Sequence, residues 1–237
     1  MKEIEKEIIY EDRDLIVCRK AAGIPTQTPK IGVKDMVSIL KGYRSKKGEP
    51  PYIGLIHRLD QPVEGVMVFA KTKEAAAELS RQVAGRGMDK DYLAVVKGSF
   101  SEPGGEMQDY LVRDGRNNIS HVAAENDPKA KKAVLSYKVL AEAREGGYSL
   151  VRIRLHTGRH HQIRVQMAHR GHPLLGDRKY DPQWKGNGGN TALCSFRIGF
   201  VHPGTGKKEV FSILPENAYF AEFQECIGKE EGRNLDN

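Results

Sequence analysis

The sequence predicts an α+β fold built on a mixed, largely antiparallel sheet with a few flanking helices. Three observations carry that expectation. Short runs of Val, Ile, Leu, Phe and Tyr outnumber segments with a helical repeat. Several of them are joined through tight polar turns, with Glu145-Gly146-Gly147 the plainest hairpin signal. Strands and helices do not alternate regularly, as repeated strand–helix–strand units would require.

Taken in order, Ile8 to Lys20 reads as two short strands around a polar turn, and Gly23-Ile24-Pro25 then breaks the pattern. Asp35 to Leu40 suits a short helix. Lys41 to Pro51 mixes Gly, Lys, Ser and Pro and reads as a mobile basic loop. Gly65 to Lys71 is a strand rich in Val, Met and Phe. Thr72 can cap the following helix, where Ala75, Leu79 and Val83 recur at a spacing of four, and Gly85 and Gly87 are stop signals. Tyr92 to Lys97 is another strand, and Gly98 to Asp114 has connector or edge-strand character.

Asn126-Asp127-Pro128-Lys129 marks a turn. Val134 to Ala141 and Tyr148 to Leu155 are the two arms of the hairpin. In the second arm Val151, Ile153 and Leu155 face one way and Arg152 and Arg154 the other. Arg159 to Arg170 reads as a helix ended by Gly171, with Pro173 just beyond. Asn187-Gly188-Gly189-Asn190 is a loop, followed by strands near Leu193–Phe200 and Glu209–Ile213. There is no internal repeat.

Length and composition narrow the function. A chain of 237 residues suits one large domain or two small ones and can bury a core without disulfides or metals. No apolar run approaches the roughly 18 residues a membrane span needs, so no membrane partner is expected. The first six residues, Met1-Lys2-Glu3-Ile4-Glu5-Lys6, lack the apolar core of a signal peptide, which points to the cytoplasm. Cys18, Cys194 and Cys226 are odd in number and far apart, against a disulfide framework or a paired-cysteine zinc site. The net charge of +7 and pI near 9.2 favour polyanion partners, although charge alone leaves nucleic acid an open choice.

Two constellations carry chemistry. In Ile56-His57-Arg58-Leu59-Asp60-Gln61-Pro62-Val63-Glu64-Gly65 a carboxylate follows a basic pair and precedes a proline and a buried-looking strand. That places Asp60 on a loop held by rigid elements, where functional residues concentrate. On local pattern alone, a turn aspartate beside proline is the simpler reading. In Leu155-His156-Thr157-Gly158-Arg159-His160-His161-Gln162-Ile163-Arg164-Val165-Gln166 a strand feeds through Thr157-Gly158 into a helix start. Backbone N–H groups and cationic side chains converge there, suiting an RNA phosphate or an ionised carboxylate, or simply making a solvated basic helix face.

Five of the eight histidines, His156, His160, His161, His169 and His172, lie in or near this second stretch. Thr157-Gly158 keeps His156 and His160 off one helix, and no Cys or Glu at ligand spacing completes a zinc set, so no metal is expected. Tyr92 by itself is a half-buried strand tyrosine.

Together these segments resemble the RluA-like family of RNA pseudouridine synthases. Tyr10-Glu11-Asp12 through Gly23-Ile24-Pro25 resembles the family's first block, and His57-Arg58-Leu59-Asp60 its catalytic motif. Asp91-Tyr92-Leu93-Ala94-Val95-Val96-Lys97-Gly98 resembles the tyrosine strand. Leu155 to Val165, continuing through Gly171-His172-Pro173-Leu174-Leu175-Gly176-Asp177, resembles the final block. The blocks fall in family order and cover most of residues 8 to 214. The chain departs from the family at Val63-Glu64, where Thr-Ser is usual, at His160 for a common Thr and at Gln166 for a common His. Glu64 places a second carboxylate four residues from Asp60, and a like charge opposes an ionised nucleophile.

The resemblance implies a pseudouridine synthase fold with a central RNA-binding cleft. It implies a single catalytic domain over residues 1–237, with its core at about 8–214 and no separate N-terminal RNA-binding domain. The implied enzyme is an isomerase converting specific uridines of ribosomal or transfer RNA to pseudouridine, without cofactor or metal; a monomer is expected, although the sequence does not itself carry the oligomeric state. Asp60 would be the nucleophile, Tyr92 would stack on the uracil and assist removal of the proton at carbon 5, and Arg164 would pair with Asp60. Arg58 would help displace the base, with His57, Arg159, His161 and Gln162 also contacting RNA and further lysines, including the Lys41–Lys47 stretch, on phosphates. Attack on the anomeric carbon and assisted elimination at the sugar both stay open. The main alternative is a non-catalytic RNA-binding or ribosome-assembly protein on the same scaffold. A phosphodiesterase using the histidine cluster is a remoter one.

Overall fold

In chain order the elements begin with helix α1 (Lys2–Glu7), strands β1 (Ile8–Glu11) and β2 (Leu15–Lys20), helix α2 (Met36–Lys46) and strands β3 (Gly54–Leu55) and β4 (Glu64–Ala70). Helix α3 (Lys73–Ala84) is followed by β5 (Asp89–Lys97), β6 (Gly104–Asp114), β7 (Ile119–Ala123), β8 (Lys131–Glu142) and β9 (Tyr148–Leu155). Helix α4 (Gln162–His169), β10 (Leu193–Val201), β11 (Lys208–Ser212), a 3-10 turn over Ala218–Phe223 and α5 (Gln224–Gly232) complete the chain. A computed structural model describes residues 2–85, 87–185 and 190–232; the loop expected at Asn187-Gly188-Gly189 lies outside them.

The chain divides into two compact units, Met1–Lys90 with Ser195–Ile213, and Asp91–Cys194 with Leu214–Asn237. In the first, strands run in the order β1-β2-β4-β10, with β3 also on β4 and β11 on β10. The β1–β2, β2–β4, β3–β4 and β10–β11 pairs are antiparallel. The expected polar turn between β1 and β2 is closed by Asp12, whose Oδ1 accepts the N–H groups of Asp14 and Leu15 at 2.8 and 2.9 Å. All seven residues of β4 are buried, which explains its unbroken apolar reading. Gly65 within it has φ +154°, and a Cβ there would come within 2.3 Å of the Ser195 Cβ. Glycine is what lets the two strands approach.

Thr72 caps α3 as expected, accepting from the Ala75 N–H at 3.1 Å. Helix α2 corrects two expectations. It is capped by Asp35 in a reciprocal box with Ser38, and it runs on to Lys46 instead of ending near Leu40. The mobile basic loop expected over Lys41 to Pro51 is therefore mostly helix. The cause is Arg44, only 5% exposed, whose Nη1 donates to the carbonyls of Tyr52 and Lys71 at 2.5 and 2.9 Å and whose Nε donates to Glu49 at 3.1 Å. A side chain that closes carbonyls on the following segment makes that segment part of the packed structure.

In the second unit the order is β5-β9-β8-β6-β7, with β5–β9, β9–β8, β8–β6 and β6–β7 all antiparallel. The β8–β9 hairpin turns at Gly146 and Gly147, both with positive φ (89° and 65°). The stretch Gly98 to Asp114, expected as a connector or edge strand, holds an eleven-residue strand with β8 on one side and β7 on the other. Its exposed and buried residues are interleaved irregularly, so alternation was faint. Helix α4 starts at Gln162, later than the expected Arg159. Residues after 214 join this unit: Phe220, Phe223 and Ile227 are buried, and Glu230 pairs with Arg152.

Candidate active site

In the first unit Asp60 ends an extended segment that leaves β3, and its carbonyl accepts the Val63 N–H at 3.1 Å to close the turn around Pro62. Three sets of bonds tie this loop to the Gly23–Thr26 segment. Thr26, 3% exposed, donates to the Leu59 carbonyl at 2.8 Å and accepts the Leu59 N–H at 3.1 Å. The Gly23 N–H donates to the Gln61 carbonyl at 2.8 Å, and Gln61 Nε2 returns a bond to the Gly23 carbonyl at 3.0 Å. Lys20 Nζ donates to the carbonyls of Ala21, Ile24 and Gln61 at 3.1, 2.7 and 3.3 Å. Asp60 itself is half-buried, on a loop where the Leu59 N–H and the carbonyls of Leu59, Asp60 and Gln61 are all bonded.

Lys20 has no exposed surface, and burial lowers its ammonium from the usual range to about 8 against the opposing pull of Asp60 and Glu64. Sequence reading missed this residue. The only signal was a lysine continuing the buried strand Leu15-Ile16-Val17-Cys18.

The basic pair before Asp60 divides. Arg58 is exposed and donates to the Gln27 carbonyl at 3.2 Å. His57 is 8% exposed; its Nε2 accepts the Val68 N–H at 3.3 Å, which puts the ring proton on Nδ1. Burial, with a smaller push from Lys90, lowers His57 to about 3, so the imidazole is neutral at physiological pH.

In the second unit Tyr92 lies on β5 opposite Ile153, 6% exposed. Arg159, His161, Gln162 and Arg164 are brought together by the turn after β9. Gln162 is consumed in building it. Its Oε1 accepts from Thr157 Oγ1 at 2.8 Å and from the Arg159 N–H at 2.9 Å, while its Nε2 donates to the Val134 carbonyl at 3.1 Å. His161 takes a left-handed conformation (φ 55°) that begins α4 and accounts for the late start of the helix. Arg159 is exposed, with Nε on the Lys132 carbonyl at 2.8 Å.

Arg164, 3% exposed, is gripped by Asp177, 0% exposed, through Nε–Oδ2 and Nη2–Oδ1 bonds of 2.7 Å each. This is the bidentate geometry that fixes a guanidinium plane. Asp177 is held in turn by the N–H groups of Lys179 and Tyr180 at 3.0 and 3.3 Å. The Tyr180 ring lies 5.1 Å from the Arg164 guanidinium carbon. The Tyr180 hydroxyl accepts the Ser120 N–H at 2.8 Å and is hydrogen-bonded to His161 Nδ1 at 2.7 Å. Burial first, then the charge of Arg164, lowers His161 to about 2. The expected convergence of cations at this turn therefore does not include His161, whose imidazole is neutral at physiological pH. Tyr180 was not identified from sequence, and Asp177 entered only as part of a matched block.

The five clustered histidines separate. His160 and His161 stack with ring centres 3.8 Å apart, but His156 meets Ser136, His172 stacks on Phe100, and His169 is exposed. Among the described residues one group of three side chains, Asp12, Asp14 and His202, has metal-ligand spacing. There His202 Nδ1 accepts the N–H groups of Gly204 and Thr205 at 3.1 and 3.2 Å, and Nε2 donates to Asp12 at 2.8 Å. Neither ring nitrogen keeps a lone pair for a metal. Among the described residues no helix is long and apolar enough to cross a membrane.

A family model described as RNA pseudouridylate synthase matches residues 14–169. The chain is 34% identical over 225 residues to the ribosomal large subunit pseudouridine synthase D of Vibrio cholerae, covering 89% of this chain and 67% of that protein. It is 29% identical over 226 residues to the tRNA pseudouridine synthase C of Vibrio parahaemolyticus, covering 89% of this chain and 90% of that one. Among solved structures, human RNA pseudouridylate synthase domain containing 4 matches with a TM-score of 0.77 at 23% identity, covering 95% of this chain and 94% of that chain. That last likeness is one of fold.

Proposed function

Because the chain belongs to the RNA pseudouridylate synthase family, whose members are isomerases acting on RNA, we propose that it converts specific uridines to pseudouridine with Asp60 as the nucleophile. The substrate is a ribosomal or a transfer RNA, the two classes named among its relatives. The observation that carries the reading is the mounting of Asp60. A half-buried carboxylate tops a loop whose neighbouring backbone groups are bonded to Gly23, Thr26 and Lys20. A turn aspartate serving only the turn needs no such support.

The reaction breaks the bond between uracil N1 and ribose C1′, turns the base and joins C5 to C1′. The proton lost from C5 ends on N1, so nothing enters or leaves. Asp60 acts at the sugar, either on C1′ or by assisting elimination. Tyr92 stacks on the uracil and assists loss of the C5 proton. Arg164, its plane set by Asp177, supplies the positive charge that favours an ionised carboxylate. The exposed Arg58 and Arg159 contact the RNA. His57, His161 and Gln162, buried and bonded within the protein, act by holding the two loops in shape. Both units serve one catalytic domain in this reading.

Tritium release from RNA labelled at carbon 5 of uridine tests it, with ribosomal and transfer fractions from cells lacking the modification assayed separately. Release by native protein and none by Asp60→Ala is expected. Release by both would remove Asp60 from its role. Release by neither on either fraction would favour a binding protein on the same scaffold.

A further inference from the structure

Ile31 is fully exposed and Val33 is 44% exposed, although residues of their kind are ordinarily taken into a core. The loop that carries them is nonetheless firmly built. Asp35, 5% exposed, closes its neck: Oδ2 accepts the Thr28 N–H at 2.8 Å, while Oδ1 accepts the Ser38 N–H at 2.7 Å and caps α2. At the tip the Val33 N–H donates to the Lys30 carbonyl at 3.4 Å, and Gly32 supplies the positive φ (80°) that the third place of such a turn requires. Ile31 holds the second place and projects into solvent, with Lys30 and Lys34, both exposed, on either side. From Thr28 to Lys34 there is no acidic residue.

The loop leaves from the segment that is pinned beside Asp60. Thr26 is bonded in both directions to Leu59, at 2.8 and 3.1 Å, and the Gln27 carbonyl accepts from Arg58 Nη2 at 3.2 Å. Two lysines alone would suit any polyanion. An isoleucine held between them suits a polyanion with apolar surface between its charges, which an unpaired RNA strand offers as base faces set between phosphates. Drawing a uridine out of its stack uncovers such faces on the neighbouring bases.

We infer that the Lys30–Lys34 loop is an RNA-binding element, in which Ile31 covers the face of an unstacked base in the strand flanking the target uridine while Lys30 and Lys34 bind phosphates on either side. This rests on the reading that the chain acts on RNA, but not on the role of Asp60. The apolar contact is made only with RNA in place, since Ile31 buries no surface in the fold.

The test is binding, followed by fluorescence anisotropy, of a single-stranded oligouridylate and of a fully paired RNA duplex. Ile31→Ser is expected to weaken the oligouridylate about tenfold and the duplex by no more than about twofold, because paired bases keep their faces covered. Its salt dependence should match that of native protein. Lys30→Gln/Lys34→Gln should weaken both probes and lower the slope of log affinity on log salt for the oligouridylate by about 1.4, at about 0.7 per phosphate. Ile31→Trp, which puts a flat ring in the same place, should bind the oligouridylate at least as tightly as native protein. On the RNA fraction that supports tritium release, Ile31→Ser should raise KM about tenfold with kcat within about twofold. The thermal midpoints of all three variants should match native protein, since the replaced side chains are exposed.

Oligouridylate affinity unchanged in Ile31→Ser, or a loss equally large on the duplex, would overturn the base contact. An oligomer that Ile31→Ser converts to a monomer in sedimentation, with RNA affinity unmoved, would give the loop to a second copy of the chain and overturn the proposal. Tritium release that survives Asp60→Ala would strike the nucleophile and leave the loop to its binding measurements. Native protein that binds neither probe nor either RNA fraction would overturn both readings together.

Discussion

The Asp60 loop and the Arg164 turn are both buried-charge devices, and they are built on opposite plans. At Asp60 the supporting charge, Lys20, is bonded only to backbone carbonyls, with its counter-charges acting through space. At Arg164 the guanidinium is gripped by a bidentate carboxylate, with the Tyr180 ring 5.1 Å away and the neutral His161 imidazole nearby. A charge closed at contact distance fixes orientation; one left open sets a field over several ångströms. The first plan suits a loop that must keep a carboxylate reactive, and the second a guanidinium that must not turn.

The comparison breaks most sharply at Asp60. Asp60→Asn is expected to lower pseudouridine formation by about a thousandfold or more with the thermal midpoint within a few degrees of native, since the carboxylate is half-buried and its loop is held by other residues. A large drop in midpoint would mean the carboxylate supports the loop rather than the chemistry. Asp177→Asn should do the reverse in proportion. It removes the negative charge of the carboxylate that grips a buried guanidinium, so urea unfolding should show a loss of about 3–5 kcal/mol, with activity falling in parallel. Stability unchanged in that variant would end the contrast between the two plans.

A pH experiment sharpens the contrast on the Asp60 side. His57 has a folded pKa near 3 against an ordinary value of 6.5, so the unfolded chain binds the extra proton between those values. The stability this represents is intact above pH 6.5 and is lost as pH falls towards 3. Between pH 6.5 and 4.5 the loss from this residue is about 2 kcal/mol. Comparing urea midpoints at pH 7 and 4.5, His57→Gln should lose less than native protein over that interval; an equal loss would show that His57 is not the group protonated. The smallest effect is expected at Arg58, exposed and bonded to one carbonyl. Arg58→Ala should raise KM several-fold, flatten the salt dependence of RNA binding and leave the thermal midpoint unchanged. An unmoved KM would take Arg58 off the RNA.

Much of the fold was legible because its signals are local. The β1–β2 turn needs only Asp12 bonding two residues ahead, and α3 needs only Thr72 followed by apolar residues every four. Gly146-Gly147 marks its hairpin because both residues take positive φ. What escaped depends on partners distant in sequence. Helix α2 continues past Gly42 because Arg44 finds carbonyls at residues 52 and 71, and β6 runs to eleven residues because β8 pairs residues 104–111 and β7 pairs residues 110–114, despite its mixed surface. The late start of α4 follows from the left-handed His161, in a turn that Gln162 ties to Val134, 28 residues earlier.

The candidate site divides along the same line. The ordered motifs around Asp60, Tyr92 and Arg164 were enough by themselves to identify the family, because residue type and spacing are properties of the chain. They could not separate His57 from Arg58 as buried and exposed neighbours, nor show that His161 is neutral, since desolvation depends on what packs around a ring. Nor could they reveal Lys20, Asp177 and Tyr180 as supports, 40, 13 and 16 positions from the residues they serve. The sequence determined which groups are available for chemistry. Only the tertiary structure decided which are wet, which are charged and which hold another in place, because those properties arise from neighbours that the chain brings near on folding.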